Sequence, residues 1–152
     1  MDRIDYGILQ ALQNDARTTN REIAARVGLA PSSCLERVRK LEATGVIRGY
    51  HADIDPEALG VGMLALIAIR VDQHGRSGVE RISDLAATRE EVIAIYHLAG
   101  AVDFLVHVAV RGTDHLRHLA LDVFGAREDV RHVETSLIFD FVQNARIPAY
   151  AE

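Results

Sequence analysis

Apolar side chains in the first 45 residues recur at helical spacing. Ile4, Ile8, Leu9 and Leu12 fall at i, i+4, i+5 and i+8, one face of a helix. Thr19-x-x-Glu22 has capping-box spacing, with Thr19 serving backbone N–H groups that no helical carbonyl reaches, so a second helix begins there. Ile23, Ala24 and Val27 are its apolar stripe, and Gly28 ends it because a positive φ is cheap for glycine. Pro31 suits a first helical residue, its φ already set. Leu35, Val38 and Leu41 predict the apolar face of a third helix, closed by Gly45. The order is that of a helix-turn-helix.

Past Gly45 the pattern changes. Residues 46–54 read as short extended segments with a bend at Gly49, and Asp55-Pro56 marks a turn or linker. Met63 to Val71 is a strongly apolar strand, and Val79, Ile82, Leu85 and Ala86 give a helical stripe. Val92–Leu98 and Phe104–Val110 form a hairpin around a longer loop, Ala99–Asp103. Thr113 caps a helix buried through Leu116, Leu119, Ala120, Val123 and Phe124. In the last strand Val133, Thr135, Leu137, Phe139 and Phe141 alternate with Glu134, Ser136, Ile138 and Asp140. This β-α-β-β-α-β order is the split βαβ of a ferredoxin-like fold. The expectation is an α+β chain: a winged helix-turn-helix domain over 1–50, a linker over 51–60, and a ferredoxin-like βαββαβ domain over 61–152. Two helices cover one sheet face. The other, carrying Ile138 and alternate residues of the first strand, calls for a second copy of the chain.

The 152 residues carry a net charge of −5, which argues against nucleic acid until the chain is divided. Residues 1–50 hold eight basic and six acidic side chains, while 51–152 hold nine basic and sixteen acidic. That asymmetry assigns the polyanion to the first half. One cysteine excludes an internal disulfide framework and any Cys-rich zinc site. Met1 is followed by Asp2, Arg3 and Asp5 instead of an apolar signal core, and the longest apolar run, Val61–Ile69, is too short to cross a bilayer. A cytoplasmic location is expected.

On the third helix Ser33, Arg37, Lys40 and Thr44 share one sector, with Ser32 and Glu36 beside it. A solvated charged face is the ordinary reading of such a helix. The capped helix and glycine turn before it favour the DNA major groove instead, where Arg grips guanine O6/N7 and Ser reaches bases or phosphates. Cys34 is expected to be a small packed side chain. His115-x-x-His118 lacks the further ligands of a metal site and reads as surface histidines. His97 and His107 on the paired strands have no sequence partner that marks a nucleophile or an acid–base pair. Gly60-x-Gly62 reads as a flexible junction. In the loop, Gly100 permits close backbone approach and Asp103 is able to receive an ammonium. From residues alone, a turn whose Asp bonds loop amides is the better reading.

The run from Val27 to Glu42 (VGLAPSSCLERVRKLE), followed by Gly45-Val46-Ile47-Arg48-Gly49-Tyr50, resembles the helix-turn-helix signature of the Lrp/AsnC family of transcription regulators. Gly100-Ala101-Val102-Asp103-Phe104 resembles that family's G-x-x-D-aromatic ligand motif. The resemblance implies a regulator that binds double-stranded DNA and answers to a small molecule, mostly an amino acid. It also implies homodimers, often assembled as octameric rings of four dimers. Carried onto this chain, it implies DNA contacts from Arg21, Ser32, Ser33, Glu36, Arg37, Arg39, Lys40 and Arg48. The effector contacts it implies are Ala99, Gly100, Ala101, Val102, Asp103 and Thr135. It implies no catalytic residue, metal or cofactor. Ala30 stands where the family usually carries a capping Ser, and Ala99 where it often carries Thr. The enzyme alternative resembles siroheme decarboxylases of the same superfamily, with His97, His107 and Arg111 handling tetrapyrrole carboxylates. A stand-alone sensor without DNA contact is a third reading.

Overall fold

A computed structural model describes residues 1–72, 76–144 and 146–150. The chain divides into two compact units, Met1–Asp53 joined by the segment from Val142 onward, and Ile54–Phe141.

The first unit holds α1 (Arg3–Asn14), α2 (Asn20–Val27) and α3 (Pro31–Ala43). Asp2 and Asp5 form a capping box on α1, and Thr19 and Glu22 form the one expected on α2. Gly28 ends α2 in the left-handed region, φ 72°, letting the Leu29 N–H reach the Ala24 carbonyl at 2.9 Å. Ala30 is the N-cap of α3 and makes no side-chain cap bond. At the other end the Gly45 N–H bonds the Glu42 carbonyl and the Val46 N–H the Leu41 carbonyl, both at 2.9 Å, around Gly45 at φ 73°. The Ile47 N–H also donates to Leu41, at 3.1 Å. These bonds use the Val46 and Ile47 amides to close the helix, which explains why residues 46–54 form no strand.

The core of this unit is Ile8, Ala11, Ile23, Ala24, Cys34 and Leu41, with Val38 and Ile47 packed against it. The predicted face of α3 is thereby corrected. Leu35 is 38% exposed and Cys34 fully buried, because the buried seam runs through 34, 38 and 41 at i, i+4 and i+7. Burial also pushes the Cys34 thiol pKa up, which keeps it unreactive. The segment from Val142 returns to this unit instead of ending the second domain, and the Ile147 N–H donates to Gln13 Oε1 at 2.6 Å.

In the second unit β1 (Met63–Val71), α4 (Arg76–Ala87), β2 (Val92–His97), β3 (Phe104–Val110), α5 (Thr113–Arg117) and β4 (Val130–Ile138) follow in the expected order. α5 runs directly into a π-helical stretch, His118–Gly125. The sheet order is β2-β3-β1-β4, with every neighbouring pair antiparallel. Ala65, Ile67 and Ile69 of β1 are fully buried with Phe104, Val106 and Val108 of β3, under Ile82 of α4 and Leu119 and Phe124 of the π-helical stretch. The alternate residues Leu64, Leu66 and Ala68 pair with Ile138, Ser136 and Glu134 across the other face, as the alternation requires. Two details differ from the sequence reading. Thr113 is the first helical residue and the N-cap is Gly112. β4 stops at Ile138, leaving Phe139 and Phe141 beyond it, since Leu64 already pairs with Ile138 and the Gly62 N–H goes to the Val110 carbonyl.

That last contact makes the Gly60-x-Gly62 junction tight, not flexible. Gly60 takes φ 78°, and a Cβ at Gly62 would collide with the backbone carbonyl oxygen of Arg111. Gly62→Ala is expected to destabilise the protein by about 1–3 kcal/mol through overpacking, measured by denaturant melts. An unchanged midpoint would show that the approach of Arg111 relaxes freely.

Candidate nucleic-acid interface and ligand loop

α3 is a short helix whose phase is set by burial. At about 100° per residue, Ser33 and Lys40 lie to one side of the Cys34–Val38–Leu41 seam, and Ser32, Glu36 and Arg39 lie opposite it. All five are exposed, as are Arg21 on α2 and Arg48 beyond α3. Arg37 borders the seam and is half-buried. Its Nη1 donates to Asp2 Oδ2 at 2.7 Å and to Asp5 Oδ1 at 2.8 Å. Asp2, Asp5, Ser33, Glu36, Arg37 and Lys40 line one open groove. Arg37 is therefore engaged within the unit, where the sequence reading had it projecting freely.

The turn between α2 and α3 is fixed by Asn20, whose Nδ2 donates to the Pro31 carbonyl at 2.7 Å. Asn20, Asp2 and Asp5 were not singled out from sequence. The Asp2-x-x-Asp5 spacing is the one signal that marks a helix start there. Its link to a residue more than thirty positions away carries no local signature.

In the second unit the loop Ala99–Asp103 joins β2 to β3 at a sheet end. Ala99, Gly100 and Ala101 are exposed; Val102 and Asp103 are half-buried. The Asp103 carboxylate has a defined structural role: Oδ2 accepts the Val71 N–H at 2.8 Å. The β1–β4 ladder breaks register between Arg70 and Val71, so Asp103 bonds an amide at the irregularity. Arg70 Nε donates to the Ala101 carbonyl at 2.9 Å and holds the loop from outside. The carboxylate bonds an amide of β1 and not the loop amides expected from sequence, and so ties the loop to the strand. Thr135 pairs with Ile67, and β1 stands between β4 and the β3 end of the loop. Thr135 and the loop are not brought together within one chain.

The histidines separate. His97 pairs with Phe104 on the helix-covered side and stacks on its ring at 5.0 Å. His107 pairs with Leu66 on the open side, 5% exposed, with the Phe141 ring 5.2 Å away and Nε2 without a partner. His115 Nε2 lies 3.1 Å from Glu91 Oε1, and His118 Nδ1 lies 2.8 Å from Asp122 Oδ2. Among the described residues no group of three or more His, Cys, Asp or Glu is arranged to hold a metal. No described helix is long and apolar enough to cross a membrane.

A basic helix-turn-helix unit joined to a ferredoxin-like unit with a G-x-x-D loop defines a ligand-responsive DNA-binding regulator. Residues 1–48 match the winged helix-turn-helix DNA-binding family, and residues 64–147 match the Lrp/AsnC ligand binding domain. The chain is 43% identical over 145 residues to the HTH-type transcriptional regulator AldR of Mycolicibacterium smegmatis, covering 95% of this chain and 85% of that protein. It is 32% identical over 145 residues to the leucine-responsive regulatory protein of Escherichia coli, covering 95% and 88%. Its fold superposes with TM-score 0.85 on a transcriptional regulator of Neisseria meningitidis solved as a complex with L-methionine, at 29% identity, covering 95% and 93% of the two chains. The chain belongs to the Lrp/AsnC family of transcriptional regulators.

Two outcomes follow from the ligand unit. Asp103→Ala leaves the half-buried Val71 N–H without its acceptor and is expected to cost about 1–3 kcal/mol in a urea melt. A variant as stable as the parent would show that water replaces the carboxylate. Burial holds the His107 pKa below its ordinary value of 6.5. The folded state thus binds the proton less readily than the unfolded state does. Stability is complete above the unfolded pKa and falls as pH drops through it, until the folded His107 itself is protonated. Between pH 7.5 and 5.5 the parent is expected to lose more stability than His107→Leu; equal losses would remove His107 as the source.

Proposed function

We propose that this regulator recognises DNA in a sequence-specific way through α3 and responds to a free amino acid bound at the Gly100–Asp103 loop. The observation that supports the first part most is the exposed Ser33–Lys40 flank of α3, with Ser32, Glu36 and Arg39 beside it. Arg21 and Arg48 are exposed on the same unit and supply phosphate contacts. In this reading Lys40 holds a phosphate and Ser33 reaches a base or phosphate from the first turn of α3.

The effector reading rests on the open loop and on the likeness to the Neisseria meningitidis regulator solved as a complex with L-methionine. A Cβ at Gly100 would meet nothing within 4 Å, so the backbone there is approachable. Exposed loop amides receive the carboxylate, and Asp103 Oδ1 receives the ammonium while Oδ2 remains on Val71. Ala101, Val102 and Ala99 supply the wall, and Thr135 contributes from a neighbouring copy. The half-covered apolar side chains Leu64, Leu66, Leu105 and Ile138 on the open sheet face support assembly into dimers.

The enzyme alternative has less support. Strand register puts His97 and His107 on opposite faces of the sheet, so the two imidazoles do not converge on one substrate. In this reading the chain acts in the cytoplasm as a regulator without a catalytic site.

Lys40→Ala is expected to weaken binding to all duplexes alike and to lower the slope of log affinity against log salt by about 1. Gel-shift titrations across a salt series check this, and an unchanged slope would take Lys40 off the phosphate backbone.

A further inference from the structure

Both hydrogen bonds made by Arg37 leave from the same nitrogen, Nη1. Nε and Nη2 have no partner among the described residues, and the side chain is 33% exposed beside the groove that contains Ser33 and Lys40. A guanidinium is a flat fork of five N–H donors. With both Nη1 hydrogens engaged, the edge left over is Nε–Nη2, whose two parallel donors match guanine O6 and N7.

The acceptors on the other side are themselves fixed. Asp2 Oδ1 takes the backbone N–H groups of Ile4 at 3.0 Å and Asp5 at 2.9 Å, while Oδ2 takes Arg37. Asp5 Oδ2 takes the Asp2 N–H at 3.0 Å, while Oδ1 takes Arg37. Each carboxylate thus uses one oxygen to cap α1 and the other to grip α3. The Arg37–Asp2 pair is open to solvent and adds little to stability; Asp5 is half-buried, and two negative charges beside a DNA-facing helix oppose a polyanion. Their arrangement does suit orientation, because a flexible arginine loses its rotamer freedom before DNA arrives.

We propose that Asp2 and Asp5 are positioning residues for sequence reading: they lock Arg37 through Nη1 so that its Nε–Nη2 edge meets a guanine of the operator. This rests on the reading of α3 as the DNA-facing helix. Asp2→Asn and Asp5→Asn test it in the full-length chain, since Asn caps a helix as well as Asp while removing the charge. The probes are a duplex enriched from a random-sequence library by the parent protein and a scrambled duplex of the same composition. Each variant is expected to bind the selected duplex about tenfold more weakly, to bind the scrambled duplex as well as the parent or better, and to lose nothing further when Arg37→Ala is added. Tighter binding to both duplexes would mean that the carboxylates merely shield Arg37, and overturns the proposal. Equal weakening on both would assign them a role in the fold or at a phosphate, and also overturns it. If Arg37→Ala, Ser33→Ala and Lys40→Ala all bind the selected duplex like the parent, the DNA-facing reading of α3 itself fails.

Discussion

The phase of α3 about its own axis governs what the first unit can present. Burial of Cys34, Val38 and Leu41 against Ile8, Ile23 and Ala24 sets that phase. A rotation of one residue, about 100°, would bury Leu35 in place of Cys34 and turn Lys40 toward the opposite side. The choice of the smaller residue at 34 has a packing logic. A thiol-sized side chain fills the buried position between α3 and the other two helices, and the larger Leu35 stays at the rim, 38% exposed. Arg37, next to that seam, consequently lies within reach of the first turn of α1.

The second unit has a corresponding constraint in β1. Its residues are bonded to β3 on one side and β4 on the other, and its alternation divides the sheet into two unlike faces. One face is filled by Ile67, Ile69, Val106 and Val108 beneath the helices. The other carries Leu64, Leu66 and Ala68 with the poorly solvated His107. Where β1 loses register at Arg70/Val71, the loop from the opposite hairpin supplies the missing acceptor through Asp103. The G-x-x-D loop is thus part of the sheet's hydrogen bonding before it is part of any ligand site. Asp103 spends one carboxylate oxygen on the strand.

Much of this was legible because it is local chemistry. The Thr19–Glu22 box, the left-handed glycines at 28 and 45, and Pro31 at a helix start all act within four residues, and each stands as the sequence predicts. Strand alternation gave the two sheet faces for the same reason. What failed needed tertiary information. Leu35-Val38-Leu41 and Cys34-Val38-Leu41 both satisfy helical periodicity, and only the neighbouring helices choose between them. The extended reading of 46–54 overlooked that closing α3 consumes two amides. The Gly62–Arg111 contact and the Asp103–Val71 bond span about fifty and thirty residues, beyond any pattern of spacing. Candidate DNA residues were recognisable by type, but Arg37's engagement with α1 was not.

The two electrostatic features of the molecule respond differently to pH, and that follows from how each is solvated. Asp2 sits below the usual carboxylate range because the Asp5 N–H and then the Arg37 guanidinium bond its charged form. Arg37 is raised by hydrogen bonds from its guanidinium to the Asp2 and Asp5 carboxylates, so the guanidinium keeps its charge. His107 is the opposite case, a titratable ring whose neutral form is favoured by burial. Mild acid therefore bears on the open sheet face through His107, while the Arg37 guanidinium keeps its charge. The Asp2–Arg37 pair of the first unit is favoured in its charged form, whereas burial in the second unit favours a neutral imidazole.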